Sequence, residues 1–128
     1  MGKLKLLIVD DEVAIVELIK TYYSRRGFIT FGATDGIKGV EIFEKERPHV
    51  TLIDVHMPYS PIDGIETLRR IKAIYKKAIC IMVTRITENK EVEEARALGA
   101  LHYIPKPLTL DELDIAVDEA VEIIKKGK

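Results

Sequence analysis

Five short apolar runs, each followed by a stretch of helical period, limit this chain to very few folds. The runs are Leu4–Val9 (LKLLIV), Phe28–Ala33 (FITFGA), Val50–Val55 (VTLIDV), Ile79–Thr84 (ICIMVT) and Leu101–Ile104 (LHYI). Most are rich in β-branched residues, and each ends near Gly, Pro, Asp or Thr, as strands do. Between the first two, Ile15, Leu18, Ile19 and Tyr22 recur at i, i+3, i+4 and i+7, which predicts a helix ending at Gly27. Ile37, Val40 and Phe43 predict a second helix, closed before Pro48. Ile65, Leu68 and Ile71 predict a third, with the period reaching Tyr75 and Asp63 and Glu66 spaced for an N-terminal cap. Val92, Ala95 and Leu98 predict a fourth that ends at Gly99. The fifth carries Leu113, Ala116, Val117, Ala120, Val121 and Ile124 and opens on a Thr109–Glu112 capping box.

Strand and helix therefore alternate five times. That pattern predicts an α/β fold with a parallel sheet covered on both faces. Right-handed crossovers leave few arrangements, and the doubly wound, flavodoxin-like order 2-1-3-4-5 is the natural one. A length of 128 residues suits one domain. No repeat, linker or low-complexity segment appears, and the last helix runs into IIKKGK, which leaves nothing for a second domain.

Charge and composition narrow the function classes. With 20 Lys+Arg against 21 Asp+Glu, the chain offers no electrostatic footprint for direct nucleic-acid binding. No apolar run approaches the roughly 20 residues of a membrane helix, and MGKLKLLIVDD lacks the layout of a signal peptide. Leu6 stands where a myristoylation signal needs Ser or Thr. The single cysteine, Cys80, cannot form an internal disulfide and reads as a small buried hydrophobe; a reducing cytoplasm is the simplest setting.

The strand ends hold the chemistry. In a doubly wound sheet, ligands bind beyond the carboxyl ends of the strands at the switch point. Asp10, Asp11 and Glu12 follow the first strand, Asp54 lies near the end of the third, Thr84 ends the fourth, and Lys106 follows the fifth. Adjacent Asp10 and Asp11 repel unless a cation joins them. Clustered carboxylates suit a hard divalent cation, usually Mg²⁺. A carboxylate is also a competent nucleophile toward phosphorus, and phosphoryl transfer needs charge neutralisation on both sides of the group. No glycine-rich loop follows the first strand, which argues against a bound nucleotide. Plainer readings stand beside these. Asp10 and Asp11 would serve as caps of the first helix, Thr84 as an ordinary strand end, and Lys106 as a solvated loop residue. Tyr103 would pack, His49 and His102 would lie at the surface, and Tyr22 and Tyr23 would serve the first helix's packing. For Asp54 the plain reading fails, because an acid inside a central apolar strand is costly unless paired or metal-bound.

VDDE after the first strand, DVHMP around Asp54, Thr84 after the fourth strand and KP (Lys106-Pro107) after the fifth resemble, in this order, the receiver domains of two-component response regulators (CheY-like). The likeness covers essentially the whole chain. It implies that Asp54 is the phosphoacceptor, supplied by a sensor histidine kinase or phosphotransfer protein. It implies Mg²⁺ held by Asp11, Asp54 and the backbone carbonyl of His56, with Asp10 helping through water. Thr84 and Lys106 would bind the phosphoryl group. Tyr103 falls at the family's aromatic switch position and would turn inward as Thr84 moves toward the phosphate. The face of the fourth helix, fifth strand and fifth helix would then shift toward a downstream protein target. Such a domain catalyses its own phosphorylation and dephosphorylation but is not a multiple-turnover enzyme. The resemblance leaves open a phosphorylation-dependent dimer, and whether the chain is a fragment of a longer protein.

Three places depart from the family pattern. Arg85 follows the switch threonine where a small residue is usual; it would contact the phosphoryl group, pair with an acid, or obstruct the pocket. The loop MPYSPIDG is longer than usual, so Tyr59, Ser60 and Pro61 would bulge beside the site. His56 would project near the pocket mouth. His56 and Arg85 are therefore expected to modulate hydrolysis of the acyl phosphate. Two rival functions remain. One is a phosphorylation-independent interaction module. The other is a metal-dependent phosphatase, whose D-x-D after the first strand is here D-D-E.

Overall fold

The computed structural model describes residues 2–85 and 89–127. The element order is β1 (Lys5–Val9), α1 (Val13–Arg25), β2 (Ile29–Ala33), α2 (Gly36–Glu46), β3 (Val50–Asp54), α3 (Gly64–Ile74), β4 (Cys80–Thr84), α4 (Asn89–Ala97), β5 (His102–Pro105) and α5 (Leu110–Lys126). All strands pair in parallel, in the order β2-β1-β3-β4-β5, as the alternation predicts. The switch point lies between β1 and β3, which run side by side but are joined through β2.

Strand alternation divides the core into two layers. Leu7, Val9, Ile53 and Met82 face one side, where they meet Phe43 of α2, Leu68 and Ile71 of α3 and Ala95 of α4. Leu6, Ile8, Leu52 and Ile81 face the other and meet Ile19 and Tyr23 of α1 and Leu113, Ala116 and Val117 of α5. β3 and β4 are buried throughout, which is why their sequences are near-continuous apolar runs. No helix is long and apolar enough to cross a membrane among the described residues.

Local chemistry sets the boundaries. Gly27 (φ 96°) and Gly99 (φ 89°) follow α1 and α4 in the left-handed region that glycine enters without penalty. Asp63 accepts the Glu66 amide at 2.8 Å, but the Glu66 carboxylate turns to Arg69 and Arg70 instead of closing the box. At α5 the Thr109 hydroxyl accepts from the Glu112 amide at 3.2 Å, and the Glu112 carboxylate contacts that hydroxyl rather than the Thr109 backbone. Tyr75 does not extend α3: it is the residue after the last turn, in extended conformation and 48% exposed. His49 is half-buried rather than at the surface; its Nδ1 accepts the Lys5 amide at 2.9 Å at the start of β1. His102 does lie near the surface, against Glu119 of α5.

Candidate functional site

The carboxyl ends of β1, β3, β4 and β5 bring the predicted polar residues onto one rim. A Cβ on Gly64 would fall 2.2 Å from the Asp54 carbonyl oxygen. Only glycine lets α3 begin against the end of β3 and so fixes the loop after Asp54. On the other side, the Lys106 amide donates to the Thr84 carbonyl at 2.7 Å, which continues the β4–β5 ladder one step and sets the lysine beside the site.

Asp10 (2% exposed), Asp54 (1%) and Thr84 (4%) are buried polar residues, and the two aspartates are the only buried acids among the described residues. Lys106 Nζ lies 3.3 Å from Asp10 Oδ2, 3.4 Å from Asp54 Oδ2 and 3.6 Å from Glu12 Oε1. Carboxylate oxygens of Asp10, Asp11 and Asp54 all lie within 4.8 Å of one another. Burial, and then the charge of Asp10, push the Asp54 carboxyl up from 3.8 to about 6; Lys106 opposes this without cancelling it. Burial also raises Asp10, against the pull of the Glu12 amide and Lys106. For Lys106 burial works downward, but Asp54 and Asp10 outweigh it and hold the ammonium above its ordinary value. Three carboxylates against one ammonium leave an excess of negative charge in a poorly solvated place. That donor set fits a hard divalent cation bound through oxygen.

The capping alternative for the paired aspartates does not hold. α1 is preceded by Glu12, which makes no side-chain cap bond. Asp10 Oδ1 accepts the Glu12 amide at 2.8 Å, which shapes the turn and leaves Oδ2 toward Lys106. Asp11 Oδ2 accepts from the Tyr59 amide at 3.4 Å, so the long loop closes on the acid cluster. Ser60 anchors that loop: its hydroxyl accepts the Gly36 amide at 2.8 Å and donates to the Ile62 carbonyl at 2.6 Å.

The three departures now have positions. Arg85 pairs with an acid: Nη2 lies 3.2 Å from Glu12 Oε1, with both side chains about half exposed (53% and 49%). An ion pair that exposed contributes little stability, and it leaves the arginine at the rim rather than in the buried cluster. His56 follows β3, and its amide donates to Asp54 Oδ1 at 3.4 Å. Its Nε2 is shielded from solvent and 3.5 Å from Glu91 Oε1 at the start of α4. The alignment is too poor for a hydrogen bond, so this is an ion-pair distance only. His56, Arg85 and Glu91 line a cavity of about 380 Å³ next to the acids. Tyr103 packs against the core beside α4, with the Arg96 guanidinium 5.9 Å from its ring centroid. Its hydroxyl is shielded and has no hydrogen-bond partner among the described residues.

Glu12 is the rim residue whose part the sequence reading missed. It reaches both Lys106 and Arg85, and the third acid of VDDE was its only signal.

A five-stranded parallel sheet of this order, with acids at its switch point and a lysine after the last strand, defines a receiver-type α/β domain. The chain belongs to the response regulator receiver domain family, whose model matches residues 6–118. It is 38% identical over 113 residues to sporulation initiation phosphotransferase F of Bacillus subtilis, covering 88% of this chain and 90% of that protein. It is 33% identical to the regulatory protein AtoC of Escherichia coli, covering 93% of this chain but 25% of that longer protein. The crystal structure of a CheY-like receiver domain protein from Methanospirillum hungatei superposes with a TM-score of 0.92 at 25% identity, covering 99% of this chain and all of that one.

Proposed function

We propose that this chain is a phosphorylation-dependent signalling switch, a single receiver domain in which Asp54 takes a phosphoryl group from a histidine kinase or phosphotransfer protein in the cytoplasm. The observation that carries the reading is the state of Asp54. It is 1% exposed at the end of a buried strand, beside two further acids, with Lys106 3.4 Å away. A carboxylate in that position is hard to explain as a structural residue. The family match and the likeness to a phosphotransferase that spans almost the same length support it.

In the reaction, an ionised Asp54 oxygen attacks the donor phosphorus, the bond to the leaving group breaks, and an acyl phosphate forms. Asp11, Asp54 and the His56 carbonyl, with Asp10 through water, would hold Mg²⁺, which supplies charge neutralisation at the phosphoryl oxygens. Lys106, now shared between Asp10 and Asp54, moves its contact to a phosphoryl oxygen, and the Thr84 hydroxyl donates to another. The group is held stoichiometrically, and hydrolysis by the same residues resets the switch. Thr84 begins the connection to α4, and Tyr103 lies between that helix and the core. Their response would shift the α4–β5–α5 face between two populations and so change its affinity for a protein target. Arg85 at the rim and His56 beside Asp54 would set the lifetime of the acyl phosphate. Arg85 turned to Glu12 at the rim leaves little to favour a phosphate-independent module. Incubation with Mg²⁺ and a small acyl-phosphate donor, followed by intact mass, tests the reading. One phosphoryl group is expected on the native chain and none with Asp54→Asn or with chelator; no addition to the native chain would sink it.

A further inference from the structure

At the opposite end of the sheet lies a second concave site, which plays no part in the proposed phosphorylation chemistry. It measures about 500 Å³ and sits beneath the amino ends of β3 and β4, between the α2–β3 turn, the α3–β4 turn and the last turn of α5. Phe43, Tyr75 and Ile123 supply apolar surface, and two of these, Tyr75 (48%) and Ile123 (44%), are among the exposed large hydrophobic residues of the chain. Arg47, Lys77 and His49 supply the polar groups, and no carboxylate side chain lines the cavity among the described residues. Size and lining match the usual form of a small-molecule site: mostly apolar, with a few polar groups converging on it.

Two features show that the charge is unspent. Arg47 and Lys77 are exposed, and neither has a carboxylate in ion-pair reach among the described residues. Arg47 donates from Nε only to the Glu44 carbonyl, at 3.3 Å. Arg47 also closes α2 at φ 48°, a left-handed position where glycine or asparagine is the low-cost choice.

We infer that this cavity binds a small organic carboxylate with an apolar body, whose anionic end meets Arg47 and Lys77 while the rest packs on Phe43, Tyr75 and Ile123. The proposal stands whether or not Asp54 is phosphorylated, because the length of β3 separates the two sites.

The test is an amide-detected NMR titration of the whole chain with 2-naphthoate and, separately, with its uncharged isostere 2-naphthamide. The expected result is saturable binding of the carboxylate at one site, with shifts centred on residues 47–49, 75–79 and 123–127, and at least fivefold weaker binding of the amide. Arg47→Gly should weaken naphthoate about tenfold while the chain stays folded, since glycine adopts φ 48° freely; Lys77→Gln should weaken it severalfold. Equal affinity for carboxylate and amide, binding unaffected by Arg47→Gly, shifts centred elsewhere, or no saturation would each overturn the proposal.

Discussion

Replacing Asp54 by Asn should make the metal-free protein more stable at neutral pH. The carboxyl is 1% exposed and is raised from 3.8 to about 6, first by burial and then by Asp10. That gap of about two pH units corresponds to about 3 kcal/mol of unfavourable free energy whenever the native carboxylate is ionised. The attraction of Lys106 already enters that net shift. Asn keeps the shape but gives Lys106 a weaker acceptor, so the net gain is about 2–3 kcal/mol, or roughly 8–10 °C in Tm for a chain of this size. The sign follows from the raised pKa. Between about 4 and 6 the native state holds a proton that the unfolded state has released, so stability is favoured at low pH and lost as pH rises through about 6. The advantage of Asn is therefore full at pH 7 and above and closes as pH falls toward 4. Urea denaturation of both proteins in chelator, from pH 4 to 8, reads this directly. A variant no more stable than the native chain at pH 7, or a difference that does not change with pH, would refute the reasoning. Mg²⁺ should narrow the difference, because it relieves the same repulsion.

Three further outcomes follow from the same geometry. Lys106→Met should cost about 2 kcal/mol in chelator, because Asp10 and Asp54 lose their shared cation; adding Asp54→Asn should recover most of it in urea melts. Asp114→Ala should cost about 1–3 kcal/mol, since the buried Tyr23 hydroxyl, 2.8 Å from Asp114 Oδ1, would lose its acceptor; an unchanged denaturation midpoint would contradict this. Arg85→Ala and His56→Ala should each change the dephosphorylation rate of the acyl phosphate while phosphorylation persists; if both rates match the native one, neither residue tunes the site.

What the sequence made legible was the part written in local pattern. The apolar runs found every strand to within a residue at each end, most directly β3 and β4, which are buried throughout and therefore continuously apolar. Asp63, Thr109, Gly27 and Gly99 marked helix ends by chemistry that acts over three or four residues. Asp10, Asp11, Asp54, Thr84 and Lys106 could be gathered in advance because the fold sends every strand end to one rim. What stayed hidden were pairings set by tertiary contact alone. Tyr22 and Tyr23 both donate to Asp114, at 2.5 and 2.8 Å, across more than ninety residues, and Arg26 closes the cluster 3.3 Å from the same carboxylate. Nothing local to any of the four announces the others. The direction of Arg85 was equally out of reach: contact with the phosphoryl group, pairing with an acid and obstruction of the pocket were all open in the sequence, and the exposed rim gave it Glu12. His49 looked like a surface residue because its partner, the first amide of β1, lies far away in the chain.

The most direct measurement is chemical trapping of the phosphorylated site. The protein would be treated with Mg²⁺ and an acyl-phosphate donor, reduced with borohydride, and digested for peptide mass mapping. Reduction of an aspartyl phosphate leaves homoserine, and the account predicts that residue at position 54 and nowhere else. Homoserine at Asp10 or Asp11, or a phosphoryl group that survives on a histidine or threonine instead, would contradict it.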